Sequence, residues 1–438
     1  MPLWYATDAS PLLPETPFVT TPNRSVLSRD LILSLYLPAL MLALGQGIIA
    51  PVLPVYAKSF NISFGEASLL FVVFQFGGLV ATFPTGYFMD VVGRRPILVA
   101  GPILTALSSL ACVAANSYTE LLVYRFIAGA AQELWNQARL AIIADSTVGS
   151  QRGRQITWMV GVQRVGILLG PALGGVLATA FNIKAPFLVH GLLMLAIVLP
   201  SFLSVKETKA SRPQPQAASA AAGAAPTLAG AAFWRFLFSA QILTFFVIQF
   251  LGTVCRGAEG GTFQLYAVYA YDVGPGTLGL TTALAGVVAV PIPFATGYFM
   301  DRWGRKRVIV PAFASLAVTL VFVAVTAFAH WPFEVFVLGY ALAQMGQGTT
   351  NGTMQVLGSD MAPAEARGKF FGIWRFISAA GGLASPWLFA QTAEKLTFGS
   401  AFLMLALSSA GVAALVGWLL KETVMSGETR ADQAPARV

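Results

Sequence analysis

Long apolar stretches alternate with short polar segments along most of the 438-residue chain. About 20 apolar residues in a row are enough for a helix to cross the roughly 30 Å hydrocarbon core of a bilayer. The pattern therefore predicts an all-α integral membrane protein with twelve transmembrane helices. The predicted spans are 31–54, 66–89, 96–116, 119–145, 156–180, 184–204, 236–266, 277–299, 307–329, 332–358, 370–393 and 398–420.

One phrase of the sequence occurs twice, about half the chain apart. Residues 86–96 read GYFMDVVGRRP and residues 297–307 read GYFMDRWGRKR, each at the predicted end of a span. Such a repeat indicates two similar membrane halves, which is the build of many alternating-access transporters. We predict two pseudo-symmetric six-helix bundles with a low-complexity linker between them and a tail at each end. The predicted boundaries are 1–29 for the first tail, 30–205, 206–232 for the linker, 233–423, and 424–438.

The formal net charge is +8, and the distribution of the basic residues explains it as a topology signal. Most Lys and Arg residues fall on one side of the predicted spans, whereas Lys58, Lys184 and Lys395 fall on the other. The positive-inside rule then places both termini in the cytoplasm. Nucleic acid is therefore not an expected partner. Two histidines and two separate cysteines argue against a metal site, a disulfide framework or a bound cofactor.

The repeated phrase carries a candidate conformational latch. Gly86 permits close helix approach, Gly93 permits a tight turn, and Arg94 and Arg95 suit a lipid-facing anchor. Asp90 can accept hydrogen bonds from a neighbouring helix N-terminus, whose dipole favours a negative charge, and so stabilise one conformational state. The plain alternative is an inside loop that merely obeys the charge rule. The second copy supplies Gly297, Asp301, Arg302, Gly304 and Arg305.

The repeated phrase resembles the signature loop of the major facilitator superfamily, and the resemblance covers about 31–420. Three further motifs resemble those of its twelve-helix drug:proton antiporters. They are Leu44-Gly45-x5-Pro51-Val52-x-Pro54, Leu121-x3-Arg125-x3-Gly129, and Gly166-x3-Gly170-Pro171-x2-Gly174-Gly175. Physically, the glycines of the last motif give a smooth helix face for close packing, and its proline removes a backbone donor. An ordinary packing face is the alternative.

Polar residues recur at helical spacing within two of the spans. Arg125, Gln132 and Asn136 share a stripe on the fourth span, and a polar stripe on a membrane helix is expected to face a cavity. Hydrogen bonding between helices is the alternative reading of such a stripe. We assign to the substrate cavity Gln46, Gln132, Asn136, Arg164, Arg256, Gln344, Gln347, Asn351 and Arg375.

Glu133 and Glu259 are the carboxylates that the sequence places at membrane depth. A charge there costs several kcal/mol unless it is paired or wet, so each is a candidate for function. A carboxylate that exchanges an arginine partner for a proton is a workable coupling device. Glu133 is placed to pair with Arg164, and Arg125 to organise the polar site. Static ion pairs, including one between Arg256 and Glu259, remain the alternative.

The resemblance implies a secondary active transporter that exports a small organic molecule in exchange for protons. The excess of arginines keeps a second hypothesis open, uptake or uniport of an organic anion. A non-transporting membrane sensor is a third. No nucleotide loop or nucleophile–base arrangement suggests an enzyme.

We expect a monomer in the lipid bilayer of the plasma membrane, although Asp8-Ala-Ser-Pro-Leu12-Leu13 resembles a sorting signal for an endosomal or vacuolar membrane.

Overall fold

A computed structural model of the chain describes residues 36–146, 149–204, 231–257, 261–363 and 366–420. The predicted tails lie outside the described residues, and so does nearly all of the predicted linker. Helices account for almost all of the described residues, and no strand occurs among them. The prediction of an all-α fold is therefore confirmed.

The first half of the chain contains seven described helices, each following closely on the last. They are α1 (Leu37–Ile49), α2 (Val52–Lys58), α3 (Phe64–Val91), α4 (Arg94–Ala114), α5 (Tyr118–Ser146), α6 (Gly149–Ala180) and α7 (Ala185–Ser204). The second half contains nine. They are α8 (Ala231–Leu237), α9 (Ala240–Gly257), α10 (Thr262–Tyr271), α11 (Pro275–Ala289), α12 (Ile292–Trp303), α13 (Arg305–Phe328), α14 (Phe333–Met361), α15 (Arg367–Lys395) and α16 (Phe398–Leu419).

Three of the predicted spans are interrupted helices. Pro51 precedes α2 and Pro291 precedes α12, and in both places the missing backbone N–H ends the regular hydrogen-bond ladder. The third is interrupted at Gly261, which has a φ of 110° and precedes the first residue of α10. Within the described residues, eight helical stretches are long and apolar enough to cross a membrane. The helices otherwise coincide with the predicted spans to within a few residues at most ends.

The helices pack as two bundles with matching internal arrangements. In the first half α3 and α4 pack on α5, and α4 packs on α7; in the second half α13 packs on both α14 and α16. Contacts between the halves run mainly along α6 against α11 and along α3 against α15. The space between the halves is therefore bordered by equivalent helices from both.

Candidate functional site

A cavity of about 790 Å³ lies between the two halves. Its lining comes from both bundles, including α1, α3 to α7, α9, α11, α14 and α15. The volume falls in the range of roughly 300–1,000 Å³ that is typical of small-molecule sites. Of the sequence-predicted cavity and coupling residues, the lining contains Gln46, Arg125, Gln132, Arg164, Arg256, Gln344 and Asn351.

Arg125 is one of two charged residues, with Arg164, in the wall that the first bundle contributes. Its guanidinium carbon lies 4.3 Å from the centre of the Phe74 ring, a cation–π distance. Its Nε is buried, and no hydrogen-bond partner for it occurs among the described residues. Beside it, Gln46 Nε2 on α1 donates to Gln132 Oε1 on α5 at 2.5 Å. This bond ties together two of the helices that border the cavity.

His190 on α7 also lines this wall, and the sequence reasoning missed it. Its Nδ1 lies 2.6 Å from Ser109 Oγ of α4, and its Nε2 is buried with no partner within the described part of the chain. Gly45 makes room for the ring, because a Cβ on Gly45 would lie 2.3 Å from His190 Cδ2. The available signal was a lone histidine inside an apolar span, and the glycine of the first-helix motif is the position that accommodates it.

Arg256 is held by the second bundle through several hydrogen bonds. Its Nε donates to Gly252 O at 2.6 Å, and its Nη1 donates to Asn351 Oδ1 at 3.1 Å and to Thr350 O at 3.2 Å. The bonds to Asn351 and Thr350 join α9 to α14. This guanidinium is thus fixed in position by the protein itself, in contrast to Arg125.

Three of the predicted cavity residues lie outside the lining. Gln347 is fully buried inside its bundle, one turn from Gln344 and rotated away from the open space. Asn136 lies one turn beyond Gln132 on α5 and is half-buried, and Arg375 is exposed on α15. Helical periodicity correctly predicted that Arg125 and Gln132 face the cavity. It does not predict where along the helix the cavity ends, and Asn136 lies beyond that point.

Glu133 has a different environment from the predicted one. It does not line the cavity, and its Oε1 accepts a hydrogen bond from Gln137 Nε2 at 2.8 Å. Gln137 Nε2 also donates to Thr82 O at 3.2 Å, so this pair bridges α5 and α3. The predicted ion pair between Glu133 and Arg164 is not found among the described residues, because Glu133 faces α3 while Arg164 faces the cavity. Glu259 lies outside the described residues.

The two copies of the repeated phrase have the same backbone shape. Gly93 has φ of 107° and Gly304 has φ of 91°, both in the left-handed region that favours glycine. Each glycine therefore turns the chain directly from one long helix into the next. At these turns the sequence requires glycine for a conformational reason.

The basic residues of both copies hold each loop to its own bundle. In the first half, Arg94 Nη1 donates to Ala141 O at 3.4 Å, and Arg95 bonds to the carbonyl of Phe202. The guanidinium carbon of Arg95 also lies 4.4 Å from the centre of the Phe202 ring.

The second half repeats this arrangement. Arg305 Nε lies 3.1 Å from Asp360 Oδ2, and Lys306 Nζ donates to Leu420 O at 3.3 Å. Arg302 Nη1 donates to Tyr298 OH at 3.0 Å within its own helix. These bonds of Arg94, Arg95, Arg305 and Lys306 anchor each loop within its own half.

Asp90 is exposed and has no hydrogen-bond or ion-pair partner among the described residues. A Cβ added at Gly86 or at Gly297 would meet nothing within 4 Å. The side chain of Asp301 is not among those described. At the end of the molecule that carries the repeated phrase, which we call the motif end, Asp90 is exposed and neither Gly86 nor Gly297 is closely packed.

The opposite end, which we call the sealed end, is closed by contacts between the halves. Lys58 Nζ lies 2.7 Å from Asp272 Oδ1 and donates to Val268 O at 3.0 Å. Tyr269 OH donates to Ile62 O at 2.9 Å, and the N–H of Gly65 donates to a Glu394 carboxylate oxygen at 2.7 Å. These hydrogen bonds join the first half of the chain to the second at this end.

The charge of Lys58 affects the acid at the sealed end. The hydrogen bond and the positive charge of Lys58 lower the pKa of the Asp272 carboxyl below its ordinary value. Asp272 is otherwise exposed, so this ion pair is weak and works together with the neighbouring backbone bonds.

The glycines of the fifth-span motif give α6 two close-packed faces. A Cβ on Gly166, Gly170 or Gly174 would lie between 2.0 and 2.7 Å from backbone atoms of α1. A Cβ on Gly175 would lie 2.7 Å from Pro275 O at the start of α11, in the other half. Pro171 adds to the same contact, because its carbonyl would lie 2.3 Å from a Cβ on Gly279. The motif therefore joins α6 both to its own bundle and to the opposite one.

Comparison with known proteins places the chain in a family. The sequence model of the Major Facilitator Superfamily matches residues 35–386 and 246–437. Quinolone resistance protein NorA of Staphylococcus aureus strain MRSA252 is 23% identical over 269 residues, which cover 61% of this chain and 66% of that protein. NorA of strain Mu50 / ATCC 700699 is 26% identical over 177 residues, which cover 40% of this chain and 45% of that protein. The matched region is therefore less than two thirds of either NorA protein.

A longer match is to the class H tetracycline resistance protein of Pasteurella multocida, which is 26% identical over 367 residues, or 80% of this chain and 85% of that protein. Among solved structures, the crystal structure of a D-xylose-proton symporter aligns with a TM-score of 0.72 at 16% identity, over 90% of this chain and 98% of that one. The inward open conformation of the xylose transporter XylE from E. coli aligns with a TM-score of 0.71 at 16% identity, over 92% and 98%. These structures share the fold.

Proposed function

The chain belongs to the major facilitator superfamily, and we propose that it is a secondary transporter that moves a small organic molecule across the plasma membrane by alternating access. The observation that carries this proposal is the central cavity, which is bordered by both halves and closed by inter-half bonds at the sealed end, while Asp90 at the motif end is exposed. Rocking of the two halves would exchange the sealed end for the motif end.

Export is the direction that the relatives favour. The quinolone and tetracycline proteins are named for resistance, and removal of a compound from the cell is a direct route to resistance. The charge bias of the loops assigns the motif end to the cytoplasm. In that orientation the cavity opens toward the cytoplasm, where a transporter that exports its substrate would load it.

Proton coupling is assigned to Glu133 and Glu259, with Arg125 organising the polar wall. Glu133 lies between α5 and α3 and bonds to an amide rather than to a cation, so its protonation would change that contact directly. A change at the joint of two cavity helices is a means by which proton uptake can bias the motion of a bundle.

The test of coupling is dye accumulation in cells that lack their own efflux pumps, with and without a protonophore. The wild type is expected to lower dye accumulation, and the protonophore is expected to abolish the difference. Glu133→Gln and Glu259→Gln are each expected to reduce proton-driven export. Full proton-driven transport by both variants would show that the coupling assignment is wrong, and an unchanged accumulation by the wild type would redirect the search to uptake.

A second prediction concerns the sealed end. Lys58→Gln removes the ion pair to Asp272 and the bond to Val268, so the cavity should open more often on that side. Cys112, which lines the cavity, reports this opening through its reaction with a membrane-impermeant maleimide added outside the cell, read by mass spectrometry. The labelling rate should rise by a small factor, up to about fivefold, because an exposed ion pair contributes little.

Acid should act in the same direction as the Lys58 substitution. Because the pKa of Asp272 is lowered by Lys58, the stabilising contact is present above the ordinary carboxyl pKa and is lost as the pH falls below about 4. Maleimide reacts with the thiolate and so reacts more slowly in acid with every variant, and the measured quantity is therefore the ratio of the Lys58→Gln rate to the wild-type rate at the same pH, which should approach one below about pH 4. Lys395→Gln is the matched control, since Lys395 is exposed at the same end and makes no described bond across the halves. Equal labelling of the Lys58 and Lys395 variants would contradict this role of the ion pair.

A further inference from the structure

The described lining of the cavity contains arginines but no carboxylate. Arg125, Arg164 and Arg256 all line it, and no Asp or Glu does so within the described part of the chain. The cavity therefore has a strongly positive interior in a low-dielectric setting, where an uncompensated charge is costly.

The two membrane-depth carboxylates do not cancel this charge. Glu133 lies outside the lining and is bonded to Gln137. Glu259 is not described, although Gly257 and Gly261 on either side of it line the cavity. If Glu259 contributed a full negative charge, the three arginines that line the cavity would still leave an excess of two positive charges.

Arg125 and Arg256 differ in the hydrogen bonds that the rest of the protein makes with their guanidinium groups. The Nε and Nη1 atoms of Arg256 donate to backbone and amide oxygens of the second bundle. Arg125 makes no hydrogen bond or ion pair with any described residue, and the face of Phe74 lies against its guanidinium group. A guanidinium offers five donors in a planar fork that matches a carboxylate or a sulfonate. Arg125 thus has its donor fork free at the wall of a cavity.

The surroundings of Arg125 suit an acid with an aromatic or apolar body. Ser109 and His190 add hydroxyl and imidazole groups to the same wall, while Phe71, Phe74 and Phe187 supply flat apolar surface to the cavity. We infer that the transported molecule is an organic anion whose carboxylate or sulfonate binds Arg125, with its apolar part against these aromatic rings. The inference rests on the proposed transport function and specifies its substrate class.

Matched dyes test this inference by binding to the purified protein in lipid nanodiscs. Fluorescein is an anion and rhodamine 123 is a cation on a similar three-ring frame; benzoate and benzamidine form a smaller pair that can be used as competitors. Fluorescein should bind at least about tenfold more tightly than rhodamine 123, the usual worth of a charge-assisted hydrogen bond. Benzoate should displace it, and benzamidine should not.

Substitution of Arg125 assigns the preference to one side chain. Arg125→Gln should remove the preference for fluorescein, and Arg125→Lys should retain part of it because the charge remains. Arg235→Gln is the control for removing a positive charge, since Arg235 is exposed on α8 and lies outside the cavity. If Arg125→Gln loses its thermal unfolding transition, the wild-type dye pairs and Arg125→Lys decide the question.

Rhodamine 123 or benzamidine binding as tightly as its anionic counterpart would overturn the inference, as would a preference for anions that survives Arg125→Gln. Flux through proteoliposomes separates this result from the transport proposal. Movement of rhodamine 123 without binding of fluorescein would refute the substrate class and leave transport standing. Binding of fluorescein through Arg125 without any flux would refute transport and leave the anion site standing.

Discussion

Replacing Gly174 with alanine is expected to destabilise the protein severely, whereas the same change at Gly161 of the same helix should be harmless. A Cβ on Gly174 would lie 2.0 Å from the carbonyl oxygen and 2.8 Å from the carbonyl carbon of Ile48. Both are backbone atoms of α1, so no side-chain rotation relieves the overlap. The two helices must separate, and the contact would be lost along their length.

The expected cost is about 3 kcal/mol or more, at the upper end of what overpacking of a well-packed interior produces. Gly170 faces Gly47 in the same interface, where a Cβ on Gly170 would lie 2.5 Å from Gly47 Cα. Separation at Gly174 therefore also loosens this second close contact. Thermal unfolding in detergent should show a fall in Tm of about 5 °C or more for Gly174→Ala.

Gly161→Ala provides the matched control. A Cβ at Gly161 would meet nothing within 4 Å, and alanine is favoured over glycine inside a helix by about 0.5–1 kcal/mol. Its Tm should be unchanged or slightly higher. A Gly174 variant as stable as the Gly161 variant would mean that α1 and α6 are not packed as closely as described.

The sequence predicted the helices well because hydropathy reports directly on which segments can lie in lipid. The second span, predicted at 66–89, is α3 at Phe64–Val91. The interruptions at Pro51 and Pro291 were not predicted, since a hydropathy pattern does not register the loss of a single backbone donor. Both prolines were visible, and only their structural consequence was missed.

The candidate site was predicted less completely, for a different reason. His190 meets Ser109 across 81 residues of sequence, and nothing local to either residue indicates the other. Gln347 shows the opposite error, because the sequence assigned it to the cavity and it is buried inside its bundle. A polar residue at helical spacing can face the interior of its own bundle as readily as a cavity. Spacing along one helix predicts the direction in which a side chain points, but not whether that side chain reaches a cavity. That depends on neighbouring helices, which lie far away in the sequence.

Neutralising Asp90 should abolish most transport while leaving the stability of the described conformation unchanged. Asp90 is exposed here and has no described partner, so Asp90→Asn removes no contact from this state. The latch that we propose would act in the alternative state, in which the motif end is closed and the carboxylate can accept hydrogen bonds from a helix N-terminus of the other half. The effect of the substitution on stability can therefore be measured separately from its effect on flux.

A charge-assisted hydrogen bond contributes about 1.5–3 kcal/mol, so the population of the closed state should fall about tenfold or more in Asp90→Asn. Proteoliposome flux should fall by a similar factor, with the Tm of the purified protein unchanged. Glu334→Gln is the matched control, because Glu334 is another exposed carboxylate without a described partner, at the start of α14. A flux for Asp90→Asn equal to that of this control would show that the aspartate of the repeated phrase obeys only the charge rule of inside loops.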